Sequence, residues 1–163
     1  MKRYITWDDV ERGVRMLDDS RKGWVPDAIV ALTHGGVILG TMFRHALGLP
    51  LLYLQVTFRN GNTFDAERWD SILSTYKKIL VVDDIYDTGR TIQALHTYNV
   101  QNREFPSDVR YGVLFFNKNS PEPRPLLKNA LSYAYPHGNK DGSADWLVFP
   151  WECAIKGRSV LDA

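Results

Sequence analysis

The 163-residue chain holds a single cysteine, Cys153, so no internal disulfide can brace it. Its four histidines are scattered, and with one cysteine they make no zinc-type cluster. The longest unbroken apolar run, Ala28–Leu32, is far too short to cross a bilayer. The opening Met1-Lys-Arg-Tyr-Ile-Thr-Trp-Asp-Asp9 carries no secretory core. Neither sign of charge is in excess: 20 Lys and Arg against 19 Asp and Glu leave a net +1, which argues against a surface built for nucleic acid. No G-x-G-x-x-G fingerprint, no phosphate loop ending in Gly-Lys-Ser/Thr, no internal repeat and no low-complexity segment is present. These absences predict a soluble, cytoplasmic protein with no membrane and no stable nucleic-acid partner.

Apolar residues make up 44% of the chain, enough for the core of one domain over residues 1–163. Thr6-Trp-Asp-Asp9 reads as a capping box, and Trp7, Val10, Val14 and Leu17 then share one helical face. Apolar runs at 28–32, 51–56, 79–82 and 113–116 suit strands covered on both faces. Helices are expected at 37–47, ended by Gly48 and Pro50, and from Thr91 to about Tyr98. Residues 57–77 show only scattered apolar positions and read as a mobile lid. The proline- and glycine-rich stretch from Asn117 to Asp145 reads as a loop excursion with a short strand at 131–135, before a last strand at 146–149. Strands alternating with helices predict an α/β fold with a doubly wound, mainly parallel sheet. In such sheets ligands bind beyond the carboxyl ends of the strands, so the loops at Thr33–Gly36, at Asp83–Arg90 and after Asn117 should share one site.

The densest chemistry lies in Ile79-Leu-Val-Val-Asp-Asp-Ile-Tyr-Asp-Thr-Gly-Arg-Thr91. A buried strand delivers Asp83 and Asp84, and Asp87 opens a small hydroxyl-rich turn that runs into a helix. Such a turn aims backbone N–H groups and the helix dipole at an anion. Gly89 leaves room for a phosphate, Thr88 and Thr91 add hydroxyls, and Arg90 adds charge. Asp83 and Asp84 can accept hydrogen bonds from a sugar diol and help hold Mg²⁺, which prefers oxygen.

This segment resembles the phosphoribosyl-pyrophosphate (PRPP) motif of the type I phosphoribosyltransferases. The resemblance implies that Asp83 and Asp84 meet the ribose hydroxyls and the metal, and that Asp87, Thr88, Gly89, Arg90 and Thr91 hold the 5′-phosphate. In the purine enzymes the acid matching Asp87 manages the proton at N7 of the base. Thr33-His-Gly-Gly36 is similar to the family's pyrophosphate loop, with His34 where the purine form usually has Arg, and Gly35 and Gly36 free to let an anion approach. Phe115-Phe-Asn-Lys118 and Asp145-Trp-Leu-Val-Phe-Pro-Trp-Glu152 resemble segments of the xanthine-guanine and related 6-oxopurine enzymes. By that likeness Lys118 meets O6 of the base, Trp146 stacks on it, the Leu147 backbone reads its exocyclic edge, and Glu152 faces the metal and pyrophosphate. Val148 stands where the bacterial xanthine-guanine enzyme has an acid.

The family likeness further implies a small hood over the site formed by the chain ends (117–163 for the base-binding part), Mg²⁺ as cofactor, PRPP and a purine base as substrates, and a homodimer or homotetramer. The expected activity is Mg²⁺-dependent transfer of the phosphoribosyl group to a 6-oxopurine in purine salvage. Competing readings are the same chemistry on another base, and a PRPP-sensing RNA-binding regulator, which the net charge does not support. A phosphorylation receiver also opens on a strand ending in two aspartates, but there that strand stands near the domain start, and here 77 residues precede it.

Overall fold

A computed structural model describes residues 1–57, 63–101, 107–120, 127, 129–139 and 141–152. In chain order the elements are β1 (Lys2–Tyr4), α1 (Trp7–Ser20), β2 (Ala28–Thr33), α2 (Gly36–Leu47), β3 (Leu51–Thr57), β4 (Thr63–Phe64), α3 (Ala66–Thr75), β5 (Lys78–Tyr86), α4 (Arg90–Gln101), β6 (Asp108–Asn117), β7 (Leu131–His137) and β8 (Trp146–Val148). The main sheet has the order β4-β3-β2-β5-β6-β7 and is parallel except where β4 pairs antiparallel with β3. The expected doubly wound α/β architecture is what the chain adopts.

The sheet is buried on both faces because its strands alternate apolar residues to either side. Along β2, Val30 and Leu32 join Trp69, Ile72 and Leu73 of α3 and Ile92 and Leu95 of α4. Ile29 and Ala31 face the other way, toward Val10, Val14 and Leu17 of α1 and Leu39 and Phe43 of α2. Removing apolar surface of this kind from water contributes roughly 25 cal/mol per Å² and drives the layering. α1 starts on the capping box read from Thr6 and Asp9, with both reciprocal bonds present at 3.1 Å. Trp7 departs from the expected buried face. It is 53% exposed and lies against Trp151, ring centroids 6.0 Å apart, rather than in the core.

A separate two-stranded parallel sheet joins the two ends of the described chain, with Lys2 opposite Trp146, Arg3 opposite Leu147 and Tyr4 opposite Val148. It is the hood. The sequence pattern gives no hint of β1, because three exposed residues carry no alternation to read.

Several boundaries move, each for a local reason. β5 runs on through Asp83, Asp84, Ile85 and Tyr86, because β6 pairs alongside it as far as Phe116. The two acids therefore sit on a strand and not in a loop. The stretch 57–77 is not one long connection, because residues 66–75 form α3. Asp65 caps α3 by accepting from the Arg68 N–H at 2.9 Å, and Trp69, Ile72 and Leu73 are core residues. The Trp69 indole donates to Asn99 at 2.8 Å and locks the helix to α4. Residues 58–62 of the expected lid, and Cys153, lie outside the described residues. Among the described residues no helix is long and apolar enough to cross a membrane.

Candidate active site

The carboxyl ends of β2, β5 and β7, together with the hood, enclose a cleft of about 830 Å³. That is the size range of a small-molecule site. Thr33, His34 and Gly35 line it from the end of β2, Asp83, Asp84 and Asp87 form an acid floor, and Trp146, Leu147 and Glu152 border it from the hood. A smaller recess of about 90 Å³ adjoins it at the N-terminus of α4, lined by Thr88, Gly89 and Thr91 and sharing Asp83 and Asp87 with the cleft. Three segments far apart in sequence are thus brought together as the strand-end rule requires.

The recess is shaped by its backbone. Gly89 has φ +82°, a conformation that L side chains rarely adopt, and a Cβ there would run into the Tyr86 phenol. Tyr86 is buried beneath the turn and its hydroxyl accepts from Gln93 Nε2 at 3.1 Å. The Gln93 N–H then donates to the Gly89 carbonyl at 2.9 Å, which sets the first turn of α4 under the recess. The Thr33–His34 peptide is cis.

The floor concentrates negative charge. Asp83 is pushed well above the usual carboxylate range, first by burial and then by the Asp84 charge beside it. Asp84 is pushed up to about 6, first by burial, with the Glu152 carboxylate adding to the rise. Among the described residues Asp83, Asp84 and Asp87 form no ion pair. Glu152 accepts the Phe149 N–H at 2.9 Å, which closes the turn after β8 and turns the acid back toward the cleft. Among the described residues no three His, Cys, Asp or Glu side chains close into a metal cage of their own. That donor set fits Mg²⁺, which keeps several waters and takes one or two carboxylates plus phosphate oxygens.

Three of the expected residues stand apart. Gly36 is buried at the start of α2, where a Cβ would collide with the Val82 carbonyl, so its smallness serves packing. Arg90 is exposed and borders neither cavity. Lys118 is exposed just beyond β6, its backbone N–H bound to the His137 carbonyl at 2.8 Å, and its side chain is not among the cleft walls.

Two residues escaped the sequence reading. Asn117, buried at the end of β6, donates from Nδ2 to Asp87 Oδ1 at 2.8 Å. His137 ends β7 opposite Asn117 and faces the cleft at 6% exposure. Its imidazole is held below its usual value, mainly by burial, against the pull of the Asp145 backbone and the Asp145 and Asp87 charges. Both follow the strand-end rule that located the acids. Ending β6 and β7 at their true last residues would have revealed them.

Residues 7–153 match the family model described as the phosphoribosyl transferase domain. The chain belongs to the phosphoribosyltransferase family. This phosphoribosyltransferase is 26% identical to the xanthine-guanine phosphoribosyltransferase of Chromohalobacter salexigens over 165 residues, covering 93% of this chain and 84% of that protein. It is 23% identical to the enzyme of the same name from Ruegeria sp., over 94% of this chain and 86% of that one. Its fold superposes on the purine phosphoribosyltransferase of Pyrococcus horikoshii with a TM-score of 0.66 at 23% identity, covering 94% and 96% of the two chains. The Helicobacter pylori xanthine-guanine-hypoxanthine phosphoribosyltransferase gives 0.63 at 18% identity, covering 93% and 94%.

Proposed function

We propose that this phosphoribosyltransferase moves the 5-phosphoribosyl group from PRPP to a 6-oxopurine, releasing pyrophosphate and yielding the nucleoside 5′-monophosphate. One observation carries the reading: a single cleft is lined by the acids of β5 and by Trp146 and Glu152 of the hood, and it shares Asp83, Ile85 and Asp87 with the α4 recess. The names of the similar proteins, xanthine-guanine phosphoribosyltransferases, support the choice of base.

In this reading the recess takes the 5′-phosphate through the amides of 87–91, the Thr88 and Thr91 hydroxyls and the positive end of α4. Arg90 adds charge from outside. Asp83 and Asp84 accept from the ribose hydroxyls. The loop Thr33-His-Gly-Gly36 presents amides to the pyrophosphate. Asp83, Asp84 and Glu152 are the groups that would hold Mg²⁺. That ion, when bound, offsets the charge that builds on the departing pyrophosphate.

The base lies against Trp146, which is 52% exposed and lines the cleft. The Leu147 backbone reads its edge, and Lys118, whose side chain stands outside the cleft, would turn in from the end of β6 to meet O6. The bond from C1′ to the pyrophosphate oxygen breaks, the bond from C1′ to N9 forms, and Asp87 takes or relays the N7 proton. Enclosure by the hood protects C1′ from water.

A panel of guanine, xanthine, hypoxanthine, adenine and orotate with PRPP and Mg²⁺, followed by pyrophosphate release, tests the proposal. Turnover with at least one 6-oxopurine and not with orotate is expected. Turnover confined to orotate or adenine overturns the assignment of the base.

A further inference from the structure

Asp87 is exposed to the cleft, and an exposed carboxylate ordinarily turns freely about its last side-chain bond. Here it does not stand alone. Asn117 Nδ2 donates to Asp87 Oδ1 at 2.8 Å. The opposite end of the same amide is fixed too, because Asn117 Oδ1 accepts the Asn119 N–H at 2.9 Å. That second bond decides which way round the amide sits, so the donor end points at the acid. Asn117 is only 9% exposed and ends β6 beside His137 of β7.

The chain of bonds continues. Asn119 Nδ2 donates to the carbonyls of Asn139 at 3.1 Å and Ser143 at 3.2 Å. Gly138, at φ +107°, brings the backbone close beneath that amide, and a Cβ there would stand 2.9 Å from Asn119 Nδ2. The backbone held this way, at Asn139 and Ser143, lies shortly before Trp146.

We propose that Asn117 is a positioning residue: it orients the Asp87 carboxylate in the cleft, and through Asn119 it ties that orientation to the loop preceding Trp146. The inference rests on the reading of Asp87 as the proton-handling group. A donor replaced by a carboxylate at the same place would set two negative groups against each other, and one would hold its proton to higher pH. The other ionisable groups lining this cleft are Asp83 and Asp84 on β5, His34 after β2, His137 on β7, Lys2 on β1 with the Met1 amino group before it, and Asp145 and Glu152 on either side of β8.

The test compares Asn117→Leu, Asn117→Asp and Asp87→Asn in steady-state kinetics across pH, with thermal melting as a control for folding. Asn117→Leu is expected to lower kcat about tenfold or more while the KM for PRPP stays within about twofold, since misplacing a reacting group costs rate before it costs binding. Asn117→Asp is expected to move the acid limb of the kcat/KM profile up by about one pH unit or more. A variant that is merely less stable leaves the profile where it was. If Asp87→Asn is impaired but both Asn117 variants keep the wild-type kcat and profile, the positioning role is overturned while the role of Asp87 stands. If Asp87→Asn turns over normally, the reading of Asp87 falls and the positioning role falls with it.

Discussion

Gly35 and Asp84 approach so closely that the volume a Cβ on Gly35 needs is already filled by the Asp84 carboxylate. Two walls of the cleft, one from the end of β2 and one from β5, are thereby in direct contact through a residue with no side chain. Gly36, its neighbour, is small for a different reason, since it packs on the Val82 carbonyl. Gly35→Ala is expected to raise the KM for PRPP about tenfold or more by pushing Asp84 aside, with a modest change in melting temperature. Gly36→Ala should instead destabilise the fold by about 1–3 kcal/mol through overpacking against backbone. Kinetics and thermal melts of the pair separate the two roles, and equal behaviour of the two variants contradicts the division.

The crowded acids make stability depend on pH. Asp84 ionises at about 6 in the folded chain, against 3.8 for an ordinary aspartate, so the folded state holds the proton more tightly than the unfolded state. The stabilisation this gives is complete below about pH 4 and is lost as pH rises through 6. Asp84→Asn, which cannot ionise, should therefore be more stable than the parent at pH 7.5, by roughly 1–3 kcal/mol, and nearly equal to it at pH 4. Chemical denaturation at the two pH values checks this. A parent that gains stability relative to the variant between pH 4 and 7.5 has the sign reversed. Gain of stability with loss of donor binding is the trade expected at a functional site.

Trp146 lines the cleft from the hood and is half exposed. Trp146→Ala is expected to raise the KM for the base about tenfold, in line with the worth of one aromatic stack, and to leave the KM for PRPP within about twofold. Equal effects on both substrates rule out stacking as its role.

Much of the fold was legible because its strands are buried on both faces, so apolar runs such as Ala28–Leu32 and Ile79–Val82 stand out against their flanks. The helical face of Val10, Val14 and Leu17 and the Thr6 capping box were legible for the same local reasons. What escaped depended on neighbours in space. β5 extends through Asp84 only because β6 lies beside it, and β1 exists only because β8 does. α3 hid because its apolar residues, Trp69, Ile72 and Leu73, are few and its other face is polar. The candidate site was legible where motif and strand end coincide, at Asp83, Asp84 and Asp87. It was missed at Asn117 and His137, which end β6 and β7 just past the strand ends read at 116 and 135, and whose bonds and burial cross the sheet.

The central claim is that the acid floor and the α4 recess together grip an activated sugar phosphate. Titration calorimetry of the purified protein with PRPP, with and without Mg²⁺, tests it most directly, with Asp84→Asn as the comparison. Saturable binding at one site per chain, weakened about tenfold or more by omitting Mg²⁺ or by the substitution, is the result expected. No binding of PRPP by the parent protein in the presence of Mg²⁺ contradicts it.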